Sequence, residues 1–207
     1  MIQTENIHGV YVIPSNESSL IWFGVIFVRN GPYEDGIFRF TIVLDENFPD
    51  CEHPKVVFQS EMFHPVIDPV GNELNLLNAF PKWNKSEQHL WQVLKFIQWI
   101  FYNVDASVAH VVNTEAAEMY KSNKNAFKAK AQEIVNLSKD HLYDEPPTED
   151  KHYIIFEPYV PEVHDKIRMS MITFQEEQTS KIGHSWVLPG TYKSLARPPT
   201  PQSESES

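Results

Sequence analysis

The sequence predicts an α+β fold, with an antiparallel four-stranded meander sheet packed against helices. Up to Phe58 the apolar residues alternate with polar ones or form short blocks rich in Val, Ile, Phe and Trp, as in strands. After residue 86 they recur at steps of three and four, as in helices that bury one face. With 207 residues, 42% of them hydrophobic and 22% charged, the chain is long enough for one domain with extensions.

Four strands are predicted in the first 60 residues. They are Gly9–Pro14, Ile21–Val28, Ile37–Leu44 and the shorter Val56–Gln59. The connector Arg29–Gly36 places Gly and Pro where a chain reversal needs unusual or preset φ angles. These connections predict a meander, and therefore antiparallel pairing.

The segment Phe63–Trp83 is predicted to be irregular. It contains His64-Pro65, Asp68-Pro69 and Phe80-Pro81, and each proline interrupts regular structure. An irregular segment of this length is typical of a functional loop or its remnant.

Helical periodicity begins after this loop. Ser86 is the predicted N-cap of a first helix. The apolar positions of that helix are Leu90, Val93, Leu94, Ile97, Ile100 and Phe101. A second helix is predicted from Thr114 to about Ser138, with a break at Asn123 or Asn125.

The chain beyond the second helix has weaker patterns. Tyr153–Phe156 fits a strand or an extended packing segment, and Val160–Phe174 fits one more helix. Residues Arg197–Ser207 are rich in Pro, Ser and Glu, a composition that predicts a disordered tail.

Composition argues against several classes of function. The net charge of −11 repels nucleic acid and anionic lipid headgroups. The glycine spacing does not form a phosphate-binding loop of the Walker or dinucleotide type. No apolar segment reaches the roughly 20 residues that a membrane span requires. One cysteine, Cys51, cannot form an internal disulfide, and together these features favour a cytoplasmic protein without direct membrane insertion.

The histidines do not predict a metal site. His53 and His64 are eleven residues apart, and His89 and His110 lie on different predicted elements, with no cysteine or carboxylate at ligand spacing. We therefore expect neither a metal nor another cofactor.

Several local patterns occur in a characteristic order. They are Gly31–Phe38, Phe48-Pro49-Asp50 followed by Pro54-Lys55-Val56, Phe63-His64-Pro65, Trp83, and Asn113–Ala117 followed by Tyr120. In this order and spacing they resemble the core of the ubiquitin-conjugating enzyme (E2) family, over roughly Gly9 to Ser138. The resemblance implies the UBC-like fold and three regions: a core at residues 9–138, a C-terminal extension at 139–196 and a disordered tail at 197–207.

The resemblance also marks a degenerate catalytic loop. Family members carry ubiquitin as a thioester on a cysteine that follows a His-Pro-Asn tripeptide, which here reads His64-Pro65-Val66. Valine has no side-chain amide to donate to an oxyanion. Aligning the apolar neighbours places Asn75 at the nucleophile position, whereas an ungapped count places Leu74 there. Neither residue has a thiol, and Cys51 lies between two acidic residues outside this loop, so we expect no conjugating activity.

Segments after the core resemble the fused toes subfamily of E2 variants, the group that contains AKT-interacting protein and the insect protein crossbronx. They are Tyr143–Asp150, Tyr153–Pro158, Pro161–Asp165 and Ser185–Gly190, together with Gly9–Ser15 and Trp22–Val25 near the start. Relatives begin with an additional helix before Gly9, for which Met1–His8 is too short. This departure from the relatives predicts a fold without that N-terminal helix, with two alternatives: a truncated gene model or a truly shortened paralogue.

The subfamily resemblance implies a function as well. It implies a cytoplasmic adaptor that joins a Hook-family coiled-coil protein and a Hook-interacting protein in a complex linking endosomal vesicles to microtubule transport. It also implies an association with Akt kinase. An alternative is a non-catalytic ubiquitin-pathway co-factor that pairs with an active E2.

Overall fold

The computed structural model of the protein describes residues 7–50, 53–106 and 111–181, with only the backbone for residue 78 and residues 174–181. The chain divides into two compact units, Met1–Glu157 and Pro158–Ser207. The first contains the sheet, three of the α-helices and the loop with the candidate site. The second contains one long helix.

The sheet confirms the predicted antiparallel meander. Its strands are β1 (Val10–Pro14), β2 (Ile21–Phe27), β3 (Ile37–Val43) and β4 (Lys55–Phe58), in the spatial order β1-β2-β3-β4. All three pairings are antiparallel. In this order β1 and β4 are the edge strands.

Side chains alternate between the two faces of the sheet. One face packs on the helices and forms the core, with Phe38, Phe40 and Phe58 at 1% exposure or less. Gly24 lies opposite Phe40 on this face. A Cβ at this position would come within 2.3 Å of the Phe40 ring, so the close packing requires glycine. The opposite face, which we call the outer face, carries Phe23 and Phe27, so β2 is apolar on both sides.

The first helix, α1 (Leu90–Tyr102), begins later than predicted. The N-cap prediction at Ser86 is wrong, since the N-cap is His89, whose backbone N–H donates to Gln92 Oε1 at 2.6 Å. Ser86 lies instead in a turn closed by Asn84, whose Oδ1 accepts from both the N–H and the hydroxyl of Ser86. Residues of α1 that face the core include Ile97 and Ile100.

The second predicted helix is two helices, α2 (Thr114–Ser122) and α3 (Lys124–Asp140). The break falls at Asn123, one of the two predicted positions. Asn123 ends α2 and caps α3, because its side chain accepts a hydrogen bond from the Ala126 N–H at 3.0 Å. Phe127 of α3 is fully buried in the core.

Residues Leu142–Glu157, which we call the strap, cross the outer face of the sheet. Their apolar part is extended and forms no strand, which settles the two alternatives for Tyr153–Phe156. The rings of Tyr153 and Phe156 pack against Phe23 and Phe27, with centroids 5.2 and 6.0 Å apart respectively. The strap therefore covers apolar surface that the sheet alone would expose to water.

Arg39 of β3 holds the strap at two points. Its Nη2 donates to the Leu142 carbonyl at 2.8 Å, and its Nε donates to the Ile154 carbonyl at 3.2 Å. The guanidinium also lies 4.9 Å from the ring centroid of Phe156. Arg39 is on the outer face of the sheet, and its side chain attaches this segment to the sheet by hydrogen bonds in place of β pairing.

The second unit contains α4 (Pro161–Lys181), which confirms the helix predicted at Val160–Phe174 and extends it. Apolar side chains on α4 are exposed, among them Val163, Ile167 and Met171. Three parts of the sequence are outside the described residues. They are the segment Ser185–Gly190, the predicted tail at 197–207 and residues 1–6, the region before which relatives have an additional helix. Among the described helices, none combines the length and apolar character needed to cross a membrane.

Candidate functional site

The candidate loop follows β4, and His64 anchors it to the core. The imidazole is fully buried, with Nε2 3.2 Å from the Ile100 carbonyl of α1. Its Nδ1 accepts a hydrogen bond from the Val66 N–H at 3.3 Å. This pattern fits the neutral ring with its proton on Nε2, so both ring nitrogens have structural partners.

Burial sets the charge state of this histidine. Loss of solvation lowers the pKa of His64 to about 4, although its hydrogen bond to the Ile100 carbonyl acts in the opposite direction. The side chain is therefore neutral at pH 7. Without access to solvent and with both nitrogens engaged, His64 has a structural role.

Pro65 and Val66 fix the loop by their backbone. The Pro65 carbonyl accepts from the N–H groups of Val112 and Asn113, both at 3.0 Å. Asn113 then caps α2 through the Ala116 N–H, so the loop and the start of α2 form one hydrogen-bonded unit. The Val66 side chain is fully buried among the core residues. It offers no polar group to the surface.

A tight turn at Asp68–Glu73 separates Val66 from the predicted nucleophile position. The Asp68 carboxylate accepts from the Gly71 N–H at 2.5 Å, and the Asp68 N–H donates to the Glu73 carbonyl at 2.9 Å. Asn72 has a positive φ of 53° and donates from its N–H to the Asp68 carbonyl. The loop residues thus satisfy one another locally, and the backbone returns beside β4.

Asn75 and Leu74 have different environments. Leu74 is buried at 2% exposure, and its N–H donates to the Val56 carbonyl on β4 at 2.8 Å. Asn75 is partly exposed between Leu74 and the buried Leu76, and its N–H donates to the Val66 carbonyl at 2.8 Å. Its side-chain oxygen caps the short 3₁₀ helix Leu76–Asn78 through the Leu77 N–H at 3.0 Å.

The loop lacks thiol, hydroxyl and amine side chains. Between Phe63 and Phe80 the sequence contains no Cys, Ser, Thr, Lys or Tyr. Cys51 is outside the described residues. In the described part of the chain, no group of three or more His, Cys, Asp or Glu side chains is placed to hold a metal ion.

Tyr33 is a further residue that shapes the loop. Its ring is fully buried against His64, with centroids 5.6 Å apart, and its hydroxyl donates to the Phe63 carbonyl at 2.5 Å. Burial raises its pKa well above the usual value, and the nearby Tyr120 adds to the shift. The sequence places Tyr33 in the turn Gly31–Gly36, but nothing in that pattern indicates that its side chain contacts a loop 30 residues away.

Comparison with known proteins identifies the family. A family model described as "Ubiquitin-conjugating enzyme" matches residues 1–135. AKT-interacting protein of Xenopus tropicalis is 43% identical over 92% of this chain, and its human counterpart is 40% identical over 95%. The chain spans about two thirds of these two proteins, 66% and 69% of their lengths. It spans 88% of the crossbronx homologue of Culex quinquefasciatus, which is 42% identical over 95% of this chain.

Solved structures agree with this result. A ubiquitin-conjugating enzyme E2 domain of Toxoplasma gondii superposes with a TM-score of 0.55 at 25% identity, covering 66% of this chain and 90% of that domain. A putative ubiquitin-conjugating enzyme of Plasmodium yoelii gives a TM-score of 0.54 at 24% identity, covering 66% and 86%, and shows the same fold. The chain therefore belongs to the ubiquitin-conjugating enzyme family with a UBC-like fold, as an E2 variant of the fused toes group that contains AKT-interacting protein and crossbronx.

Proposed function

We propose that this protein is a non-catalytic E2 variant that acts as a cytoplasmic protein-binding adaptor. The observation that carries this proposal is the loop that follows β4. At the expected nucleophile position stands Asn75, whose side-chain oxygen caps the 3₁₀ helix, and Val66 buries an apolar side chain at the position of the oxyanion donor. A loop with these two residues holds its shape without offering thioester chemistry.

The adaptor would join a Hook-family coiled-coil protein and a Hook-interacting protein and link endosomal vesicles to microtubule transport, with vesicle association through these partners. Membership of the fused toes group supports this assignment. An association with Akt kinase is proposed from the name of the relatives that are 40–43% identical, AKT-interacting protein.

A ubiquitin-charging assay tests the absence of catalysis. The purified chain is mixed with ubiquitin-activating enzyme, ATP and ubiquitin, with an active E2 as positive control. We expect no ubiquitin adduct that a reductant removes. Because Cys51 is the one cysteine of the chain, a reductant-sensitive adduct that disappears in Cys51→Ser would contradict the proposal.

Affinity capture tests the adaptor function separately. The purified chain is presented to the coiled-coil region of a Hook protein and, in a parallel reaction, to a panel of active E2 enzymes. Retention of the Hook protein supports the adaptor. Retention of an active E2 without Hook would favour the ubiquitin-pathway co-factor instead.

A further inference from the structure

The edge strand β1 has backbone groups directed away from the sheet. The Ser15 N–H donates to the carbonyl of Ile21 in the neighbouring strand β2 at 2.8 Å, which fixes the alternation along β1. Odd-numbered residues of β1 bond to β2, and even-numbered residues direct their N–H and C=O groups outward. Val10 and Val12 therefore present two donors and two acceptors at the edge.

Among the described residues, side chains bond to this edge at both of its ends but not in the middle. At one end Gln98 Nε2 of α1 donates to the His8 carbonyl at 2.6 Å. At the other end His152 Nδ1 of the strap donates to the Pro14 carbonyl at 2.9 Å. Within the described part of the chain, no hydrogen bond reaches the outward groups of the two valines between them.

An apolar groove of about 470 Å³ lies beside this edge, on the outer face of the sheet. The β1 and β2 side chains facing it include Tyr11, which is 61% exposed and packs edge-to-face on Phe27 at 5.9 Å. The strap closes the other side with Phe156. Arg29 is the one charged residue among those that line the groove, and in the described part of the chain its guanidinium forms no ion pair.

We propose that the β1 edge and this groove bind an extended peptide segment of a partner protein, antiparallel to β1, with a large apolar side chain followed two residues later by a carboxylate. Backbone pairing to Val10 and Val12 would hold the segment, as in other cases of strand addition. The apolar side chain would lie beside Tyr11. Arg29 follows β2 on the side where β1 begins, so an antiparallel segment brings its carboxylate toward the Arg29 guanidinium.

Charge complementarity selects this occupant. A segment with a basic residue at that position would face Arg29 with like charge, and one without an apolar side chain would leave Tyr11 exposed. The site is separate from the degenerate loop, and it does not depend on the coiled-coil partner proposed above. Its failure in a test would leave the non-catalytic assignment intact.

Fluorescence polarisation with a labelled peptide tests the proposal on the full chain. The probe is fluorescein-Gly-Val-Phe-Val-Asp-amide, in which Phe is placed opposite Tyr11 and Asp follows on the same face. Matched peptides carry Lys in place of Asp, or N-methyl groups on both valines. We expect the Asp peptide to bind about tenfold more tightly than either control. No saturable binding up to about 1 mM, or equal binding of the N-methylated peptide, would overturn the proposal.

Two protein variants separate the contributions. Arg29→Gln should weaken the Asp peptide about tenfold and strengthen the Lys peptide, because it removes both the attraction and the like-charge repulsion. Val12→Pro removes one outward N–H without breaking a bond to β2, and should weaken both peptides, whereas Val12→Thr should not. Thermal melting confirms that each variant is folded. Unchanged peptide binding by folded Val12→Pro would refute edge pairing, and a wild-type dimer that Val12→Pro dissociates in sedimentation velocity would assign the edge to a second copy instead.

Discussion

The Ser15 hydroxyl donates a buried hydrogen bond of 2.5 Å to the Asp150 carboxylate, across 135 positions of sequence. Asp150 also accepts from the backbone N–H groups of Asn16 and His152, at 3.1 and 2.8 Å. Burial acts to raise the pKa of Asp150, but these hydrogen bonds together lower it to about 2. One carboxylate therefore joins the strap to the turn between β1 and β2.

Loss of this junction should loosen the strap. We expect Ser15→Ala and Asp150→Asn each to lower the melting temperature, while Glu149→Gln, at an exposed neighbouring position, should not. Because the folded-state pKa of Asp150 is depressed, its stabilisation is present above pH 3.8 and is lost as the pH falls toward 2. Thermal melts from pH 7 to pH 2 measure both effects. Equal acid sensitivity of the wild type and Asp150→Asn would contradict this account.

Tyr153 offers a second, graded test of the strap. Its ring packs on Phe23, and its hydroxyl donates to Gln59 Oε1 at 2.5 Å. Tyr153→Phe keeps the ring and should lower the free energy of unfolding by about 1 kcal/mol. Tyr153→Ala also exposes Phe23 and should cost about 3 kcal/mol. Urea unfolding followed by tryptophan fluorescence measures the two values, and equal values would show that the ring contributes little.

The buried histidine predicts a specific loss of stability in mild acid. Since burial lowers the pKa of His64 from 6.5 to about 4, the unfolded chain takes up a proton at a higher pH than the folded one. This contribution is complete above pH 6.5, and the free energy of unfolding should fall by about 3 kcal/mol as the pH drops to about 4.

The variant His64→Gln isolates this effect from the other eight histidines of the chain. It should be less stable than the wild type at pH 7, because the loop loses its fitted imidazole, but its stability should depend less on pH between 6.5 and 4. Urea unfolding at several pH values gives the comparison. Parallel pH profiles for the two proteins would exclude His64 as the titrating group.

Much of the sheet could be predicted from the sequence, because each strand has its own apolar pattern and each connector its own turn residues. The strap could not, since its attachment depends on pairs distant in sequence, such as Arg39 with Ile154. One signal was available. β2 is apolar at every position, which is typical of a strand covered on both faces. Arg39 and Phe156 then determine what covers the outer face.

The candidate loop was easier to predict than its supports. Motif order located His64 and Val66, because these positions are defined by local sequence. The hydroxyl contact of Tyr33 with the Phe63 carbonyl could not be read from either segment alone. Likewise, Asn75 could be placed beside apolar neighbours, but its role as a cap depends on the 3₁₀ helix that follows.

Restoring a thiol at Asn75 should not by itself restore conjugation. Asn75→Cys removes the side-chain oxygen that caps the Leu77 N–H, which disturbs the turn where the sulfur would sit. The buried Val66 still supplies no oxyanion donor, and loss of one such donor typically costs about 10²–10³ in rate. We expect at most a slow thioester and little transfer to lysine. Val66→Asn in the same chain should improve transfer more than its effect alone, since the two groups act together. Single-turnover lysine discharge compares the variants, and near-normal discharge by Asn75→Cys alone would show that the loop retains catalytic geometry.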